Sequence, residues 1–328
     1  MDFAGPADFH DRVVARCEPA IIHGLATDWA AAAAARRSDG ELLAYLGKLA
    51  SPQLLEAFHA PDSVEGRYAY SDDLAGFNFE RTQLSVPAVL ARIAARAEAG
   101  TGNSWYAGSL QTEDYFPSFS AENRNAVLPE RIPPRLWIGN AARVACHYDT
   151  FDNLACVIAG NRRFTLYPPA AIGGLYVGPI DHTMAGQPIS LADGSGPDDP
   201  RYPDFERIRD QAVTIDLEPG TALYLPKLWW HRVESTAPIN VMANWWWDAF
   251  AQGPDAPMTA MMLAMIAIAE RPAPERAAWQ AWFEHYVFRP QGHPLAHLPA
   301  ERHGILGPLA SGNYGRIRSH VMRMLRGG

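Results

Sequence analysis

From about residue 104 to 248 the chain is cut into short β-type runs: "NSWYAGSL", "RLWIGN", "LACVIAG", "RRFTLYPP", "AVTIDLEPG", "TALYLP" and "INVMANWWWD". Glycine, proline and asparagine punctuate them, and many short strands separated by turn residues protect their edges by closing into a barrel or sandwich. The pattern predicts a mainly β fold with flanking helices, here a jelly roll, over residues 1–250. One connection, residues 170–211, is too long for an ordinary turn. Loops of that length are functional lids or binding loops, or ordered surface excursions.

The flanks read differently. "PAIIHGL" is a short β-like run ended by Gly24, and "ATDWAAAAAARRS" after it reads as a helix with Thr27 or Asp28 as its cap. "SVPAVLARIAARAEAG" reads as an amphipathic helix capped by Ser85, with Pro87 in its first turn and Gly100 as its stop. Beyond residue 250, "APMTAMMLAMIAIAE" and "PERAAWQAWFEHYVF" are two apolar-rich helices. The first is apolar nearly all round and requires cover, from the barrel or from a second subunit. The expected organisation is the jelly-roll domain followed by a C-terminal helical region, 251–328. Met258, Met261, Met262, Met265, Trp279 and Trp282 predict a homodimer built on residues 251–290.

The net charge of −8, with no basic run, speaks against a nucleic-acid partner. Cys17, Cys146 and Cys156 are odd in number and at no metal-finger spacing, so they read as reduced, buried thiols of a cytosol. "MDFAGPADFHDRVVARCEP" carries charges throughout, without an apolar signal core. The most apolar segment offers only about a dozen uncharged residues, against the roughly 20 of a spanning helix. The expectation is a soluble, cytoplasmic protein without a membrane partner.

Chemistry gathers in "RVACHYDTFDNLACVIAGNRRFTLYPP", residues 143–169. His147 and Asp149 are two apart, so on an extended strand both side chains point to one face. Such a pair can bind a divalent metal, form a catalytic dyad or pair in a core. Further on, "EPGTALYLPKLWWHRVES" presents His231 on a hairpin of the type found at a jelly-roll mouth. Two histidines and a carboxylate with three positions open make the facial triad of non-heme Fe(II) oxygenases.

These motifs, with "NVMANWWW" as a closing strand and "EPAIIHGLATDWAA" as an entry strand, resemble the JmjC/cupin-like family of Fe(II)- and 2-oxoglutarate-dependent oxygenases. The likeness is nearest the factor-inhibiting-HIF type of asparaginyl hydroxylase and its bacterial cupin-like relatives, and covers about residues 15 to 250. It implies a double-stranded β-helix, an Fe(II) cofactor, and 2-oxoglutarate and dioxygen as co-substrates. Carried over by position, His147, Asp149 and His231 would be the iron ligands. Asn153 and Asn244 would lie near the metal, and Tyr106 and Arg162 would hold the distal carboxylate of 2-oxoglutarate. Trp246, on the face of Asn244, and Trp230 would wall the pocket. Arg162 stands where many members have lysine, and Val144 where some place a threonine hydroxyl on the same carboxylate. Arg163 should face the other way.

The resemblance implies hydroxylation of a protein or peptide side chain or of a medium-sized small molecule. A metal-binding cupin without turnover, a sensor or scaffold, is the rival. His182 reads as a solvated loop histidine, and His285, His293, His297 and His303 as structural or surface residues.

Overall fold

The computed structural model describes residues 3–71, 76–181, 183 and 186–327; His182 lies outside them. The chain forms two units, Met1–Asp248 and Ala249–Gly328.

The strands of the first unit are β1 (Ala20–Ile22), β2 (Leu54–Ala60), β3 (Arg67–Tyr68), β4 (Glu80–Ser85), β5 (Ser104–Gln111), β6 (Arg135–Gly139), β7 (Ala142–His147), β8 (Asp152–Ala159), β9 (Arg162–Tyr167), β10 (Val213–Leu217), β11 (Ala222–Leu225), β12 (Trp230–Ser235) and β13 (Asn240–Trp247). They make an eight-stranded sheet, β1-β11-β8-β13-β6-β5-β2-β4, and a five-stranded one, β10-β9-β12-β7-β3. The fold is mainly β with helical regions, a jelly roll.

Apolar alternation explains the closure. Ala155, Val157, Leu223, Leu225 and Met242 of the large sheet pack on Phe164, Leu166, Leu217 and Val233 of the small one. β8 is buried along its whole length, as a central strand covered on both faces must be. The turn from β8 to β9 runs through Gly160 at φ +73°, where a Cβ would stand 2.2 Å from Asn240 Oδ1, so only glycine fits.

Helix α1 (Pro6–Arg12) opens the chain; α2 (Ala30–Arg37), α3 (Asp39–Leu49) and α4 (Val86–Ala99) follow. α4 begins and ends as its sequence dictates: Ser85 Oγ accepts from Ala88 N–H, and Gly100 stops it at φ 71°. α2 departs from expectation, because neither Thr27 nor Asp28 caps it; its cap residue is Trp29, which makes no side-chain cap bond. The reason is tertiary. Buried Trp29 donates to the Arg124 carbonyl at 2.9 Å, and the Ala31 N–H is satisfied by Asn123 Oδ1, also at 2.9 Å, from 92 residues away.

The described residues of the long connection after β9 include the one-turn helix Glu206–Arg209. Phe205 packs on Tyr167 of β9, and Asp193, 2% exposed in its side chain, is bound by Arg232 of β12 at 2.7 Å. Its residues 189 and 190 return to the edge of β7: Ser190 N–H donates to the Cys146 carbonyl at 2.7 Å, and Ile189 bridges to His147. Cys146 and Cys156 are buried, but Cys17 is exposed, which corrects the uniform burial expected of the thiols.

The second unit carries three helices of three turns or more, Pro257–Ile268, Ala273–Phe283 and Asn313–Leu325. Tyr314 and Arg318 of the last both hydrogen-bond Asp255 ahead of the first. No helix among the described residues is long and apolar enough to cross a membrane.

Candidate metal centre

β7 and β12 are antiparallel neighbours, and their register sets His147 directly opposite His231. Cross-strand partners lie about 5 Å apart, and the two rings meet at 4.3 Å between centroids. Asp149 arrives differently from the expectation of one continuous strand. β7 ends at His147, and Asp149 sits in the turn beyond it, held by its carbonyl, which accepts from Leu228 N–H at 2.8 Å. Leu228 adopts φ 68°, a left-handed conformation that costs a leucine about 1 kcal/mol or more. The turn leaves Asp149 Oδ2 3.8 Å from His231 Nε2, and one ligand atom from each of the three residues lies within 4.8 Å of the others.

Each histidine is oriented by the carbonyl two residues before it. His147 Nδ1 stands 2.8 Å from the Ala145 carbonyl and His231 Nδ1 3.0 Å from that of Trp229. A carbonyl only accepts, so both rings carry their proton on Nδ1, which leaves the Nε2 lone pairs for a ligand. Burial, with the neighbouring His147, pushes the His231 pKa down to about 3 against the backbone bond, so the ring is neutral. Burial raises the Asp149 carboxyl above the ordinary range, opposed by His147 and by the nearby Trp246 indole N–H, which closes no normal hydrogen bond. Two imidazoles with Nε2 lone pairs to give, beside a costly carboxylate, are a donor set for a divalent cation, and iron fits it.

The same cavity runs inward from the three residues to Tyr106, Arg162, Asn153, Asn244 and Val144. Arg162 is 2% exposed, with Nε and Nη2 buried and unpartnered. Burial lowers its pKa, and the neighbouring Tyr106 opposes the shift; the Tyr106 hydroxyl is raised by burial and eased by Arg162. A guanidinium with two idle donors at the end of a cavity fits a carboxylate. Asn244 receives Trp137 Nε1 on Oδ1 at 2.6 Å and donates to Asn153 Oδ1 at 3.0 Å. Arg163 points outward and pairs with Asp216 at 2.7 Å.

Trp246 lines the cavity, edge-on to Trp137 at 5.7 Å. Trp230 does not. It precedes His231 on β12, so period-two alternation turns it to the opposite face, where it packs on Tyr148 at 4.8 Å and is 1% exposed. Trp137, Phe58, Phe79, Gln187 and Ile189 are wall residues that sequence reasoning missed. Trp137 alternates with buried Leu136 and Ile138, a usable signal; Gln187 and Ile189 had only the length of their loop.

A family profile described as a cupin-like domain matches residues 6–253. The chain is similar to HSPB1-associated protein 1 from Homo sapiens, at 35% identity over 148 residues, 43% of this chain and 30% of that protein. It is 34% identical over 120 residues to lysine-specific demethylase JMJ31 from Arabidopsis thaliana, 34% of this chain and 20% of that one. Against the human bifunctional peptidase and (3S)-lysyl hydroxylase JMJD7 it is 29% identical over 139 residues, 37% of this chain and 42% of that one. The chain thus spans less than half the length of each of these relatives.

Proposed function

The chain belongs to the cupin-like domain family, and on that premise we propose that it is an Fe(II)- and 2-oxoglutarate-dependent oxygenase. Its substrate would be a protein or peptide side chain or a medium-sized small molecule. The observation that carries this reading is Arg162, a buried guanidinium with two unpartnered nitrogens in the cavity of the His147, Asp149 and His231 cluster. A metal site alone would give that residue no task. Relatives named as a demethylase and a lysyl hydroxylase support an oxygenase over another metal chemistry.

His147 and His231 would present Nε2, and Asp149 a carboxylate oxygen, to Fe(II). Bound together, iron and 2-oxoglutarate supply the activation of dioxygen for oxidation of a C–H bond. Arg162 would grip the distal carboxylate, and the Tyr106 hydroxyl would donate beside it. Asn153 and Asn244 would fix the metal-proximal end. Trp246, Phe79 and Ile189 keep the cavity apolar, and exclusion of water strengthens each of these polar contacts. Val144 adds an apolar contact at the distal end, which leaves carboxylate recognition to Arg162 and Tyr106.

Substrate-uncoupled turnover tests the reading. Purified protein, Fe(II), ascorbate and 2-oxoglutarate labelled at C1 should release labelled carbon dioxide. Metal retained without carbon dioxide or 2-oxoglutarate binding would instead favour a sensor or scaffold. The acidic net charge favours peptide or small-molecule substrates over nucleic acid.

A further inference from the structure

The turn between β11 and β12, Pro226–Trp229, serves the metal centre at two points. Leu228 N–H donates to the Asp149 carbonyl at 2.8 Å, and the Trp229 carbonyl accepts from His231 Nδ1 at 3.0 Å. Two of the three ligands therefore take their positions from one turn, which closes on itself through Trp229 N–H and the Pro226 carbonyl at 3.3 Å. Leu228 stands at φ 68° although its side chain is 45% exposed, so burial of the leucine is not what fixes its backbone. A leucine stays in the left-handed region only where its surroundings over-determine it.

Lys227 is the one charged residue of the turn. Its Nζ lies 3.3 Å from Asp152 Oδ2 and is hydrogen-bonded to Asp248 as well. Asp152 opens β8 and Asp248 follows β13, and the two strands pair there, Asp152 against Trp247. The lysine thus ties the turn that leads into the small sheet to adjoining strand ends of the large one. The tie is anchored in the interior. Asp152 is 1% exposed, and its Oδ1 accepts from the Tyr224 hydroxyl at 3.0 Å. A buried carboxylate without a cation is costly, so Asp152 fixes where Lys227 Nζ stands, and with it the backbone that enters Leu228. Neighbours on a strand face opposite ways; Asn153 lines the cavity, and Asp152 holds the lysine behind it.

We propose that Lys227 is a positioning residue for the metal centre. Clamped between Asp152 and Asp248, it keeps Leu228 in the left-handed conformation that brings Asp149 and His231 together. The inference rests on the metal-site reading above and adds a residue that touches neither metal nor co-substrate. Charge alone predicts the opposite sign, since deleting one cation should tighten the binding of another. A loss of metal affinity on deleting Lys227 therefore reports geometry.

Calorimetric titration of the metal-free full chain with Mn(II) alone tests the proposal. Lys227→Met should weaken Mn(II) binding about tenfold or more, as loss of a group that orients a ligand does. Glycine takes a positive φ without strain. In a Leu228→Gly background the same substitution should therefore cost at most about threefold, a non-additive pair. A role in stability alone would lower the melting temperature of the metal-free protein and leave its affinity, read well below that temperature, untouched. Wild-type affinity in Lys227→Met overturns the proposal, and so does an equal loss in both backgrounds. If Lys227→Met fails to fold, its combination with Asp152→Asn, which leaves no buried carboxylate unpaired, carries the same two comparisons. A wild type that binds no Mn(II) refutes the metal-site reading and this inference with it; a wild type that binds beside an indifferent Lys227→Met refutes the inference alone.

Discussion

Replacing Arg162 by alanine separates an oxygenase from a metal-binding barrel. The wild-type guanidinium is 2% exposed, and two of its nitrogens have no partner in the protein. Its burial is already unfavourable in the ligand-free chain, as the depressed pKa shows. Removing it should leave the melting temperature of the ligand-free protein unchanged or slightly raised. Binding should respond in the opposite way. A buried carboxylate left without its cation costs roughly 3–5 kcal/mol, which is a loss of about two to three and a half orders of magnitude in affinity. Arg162→Lys keeps the charge and loses the bidentate grip, so most of the binding should survive. Titration calorimetry with 2-oxoglutarate under argon, with Mn(II) in place of Fe(II), reads both variants, and metal binding alone serves as the control. Equal 2-oxoglutarate affinity in the alanine variant and the wild type refutes the assignment. Arg163 could not rescue it, because it faces away and is bound to Asp216.

His147→Ala or Asp149→Ala should abolish turnover and weaken metal binding at least tenfold while the fold persists, measured by carbon dioxide release and metal titration; native turnover in either would remove the triad. Trp230→Ala should act on stability, at about 3–5 kcal/mol for a buried aromatic, visible as a melting-point drop of roughly 10 °C. Trp246→Ala should lower kcat/KM with a smaller thermal effect; the reverse pattern would mean that the two faces of these strands are misassigned. Burial holds the Asp149 carboxyl above the ordinary range. The metal-free fold therefore favours its protonated form, and its contribution to stability is present at low pH and lost as pH rises through the raised pKa. A divalent metal needs the ionised form, so the rise in melting temperature on adding Mn(II) should grow as pH rises through that raised pKa, and should do so less in Asp149→Asn. Equal pH dependence in the two proteins would show that Asp149 takes no part.

Much of the site was legible because strand periodicity is local. The position of Trp246 beside Asn244, the outward turn of Arg163 and the cap and stop of α4 follow from alternation or helix chemistry within a few residues. What stayed hidden depends on distant partners. Asn123, 92 residues away, supplies the acceptor at the start of α2 that Thr27 and Asp28 were expected to provide. Asp149 comes to the metal site through a turn held by Leu228 rather than by strand geometry. Gln187 and Ile189 enter the wall because their excursion returns to the edge of β7. Trp230 could have been placed from its sequence, since the residue next to an inward histidine on a strand faces outward; its tryptophan neighbours drew it into the wrong group.

The hydrogen bonds joining Trp137, Asn244 and Asn153 have a direction. An indole has a hydrogen to give and no lone pair to receive one, so Asn244 must turn its oxygen toward Trp137 and its amide nitrogen toward Asn153. Asn153 is then bound through its own oxygen, and its hydrogens are what remains for the cavity. One indole thus fixes the polarity of two amides in series, and that wall of the cavity offers hydrogens rather than lone pairs. Such a wall matches a keto acid, which brings only acceptors, and opposes an ammonium, which brings only hydrogens. A phenyl ring at position 137 would release both amides together, so the discrimination between acids and amines would be lost as a unit rather than by degrees.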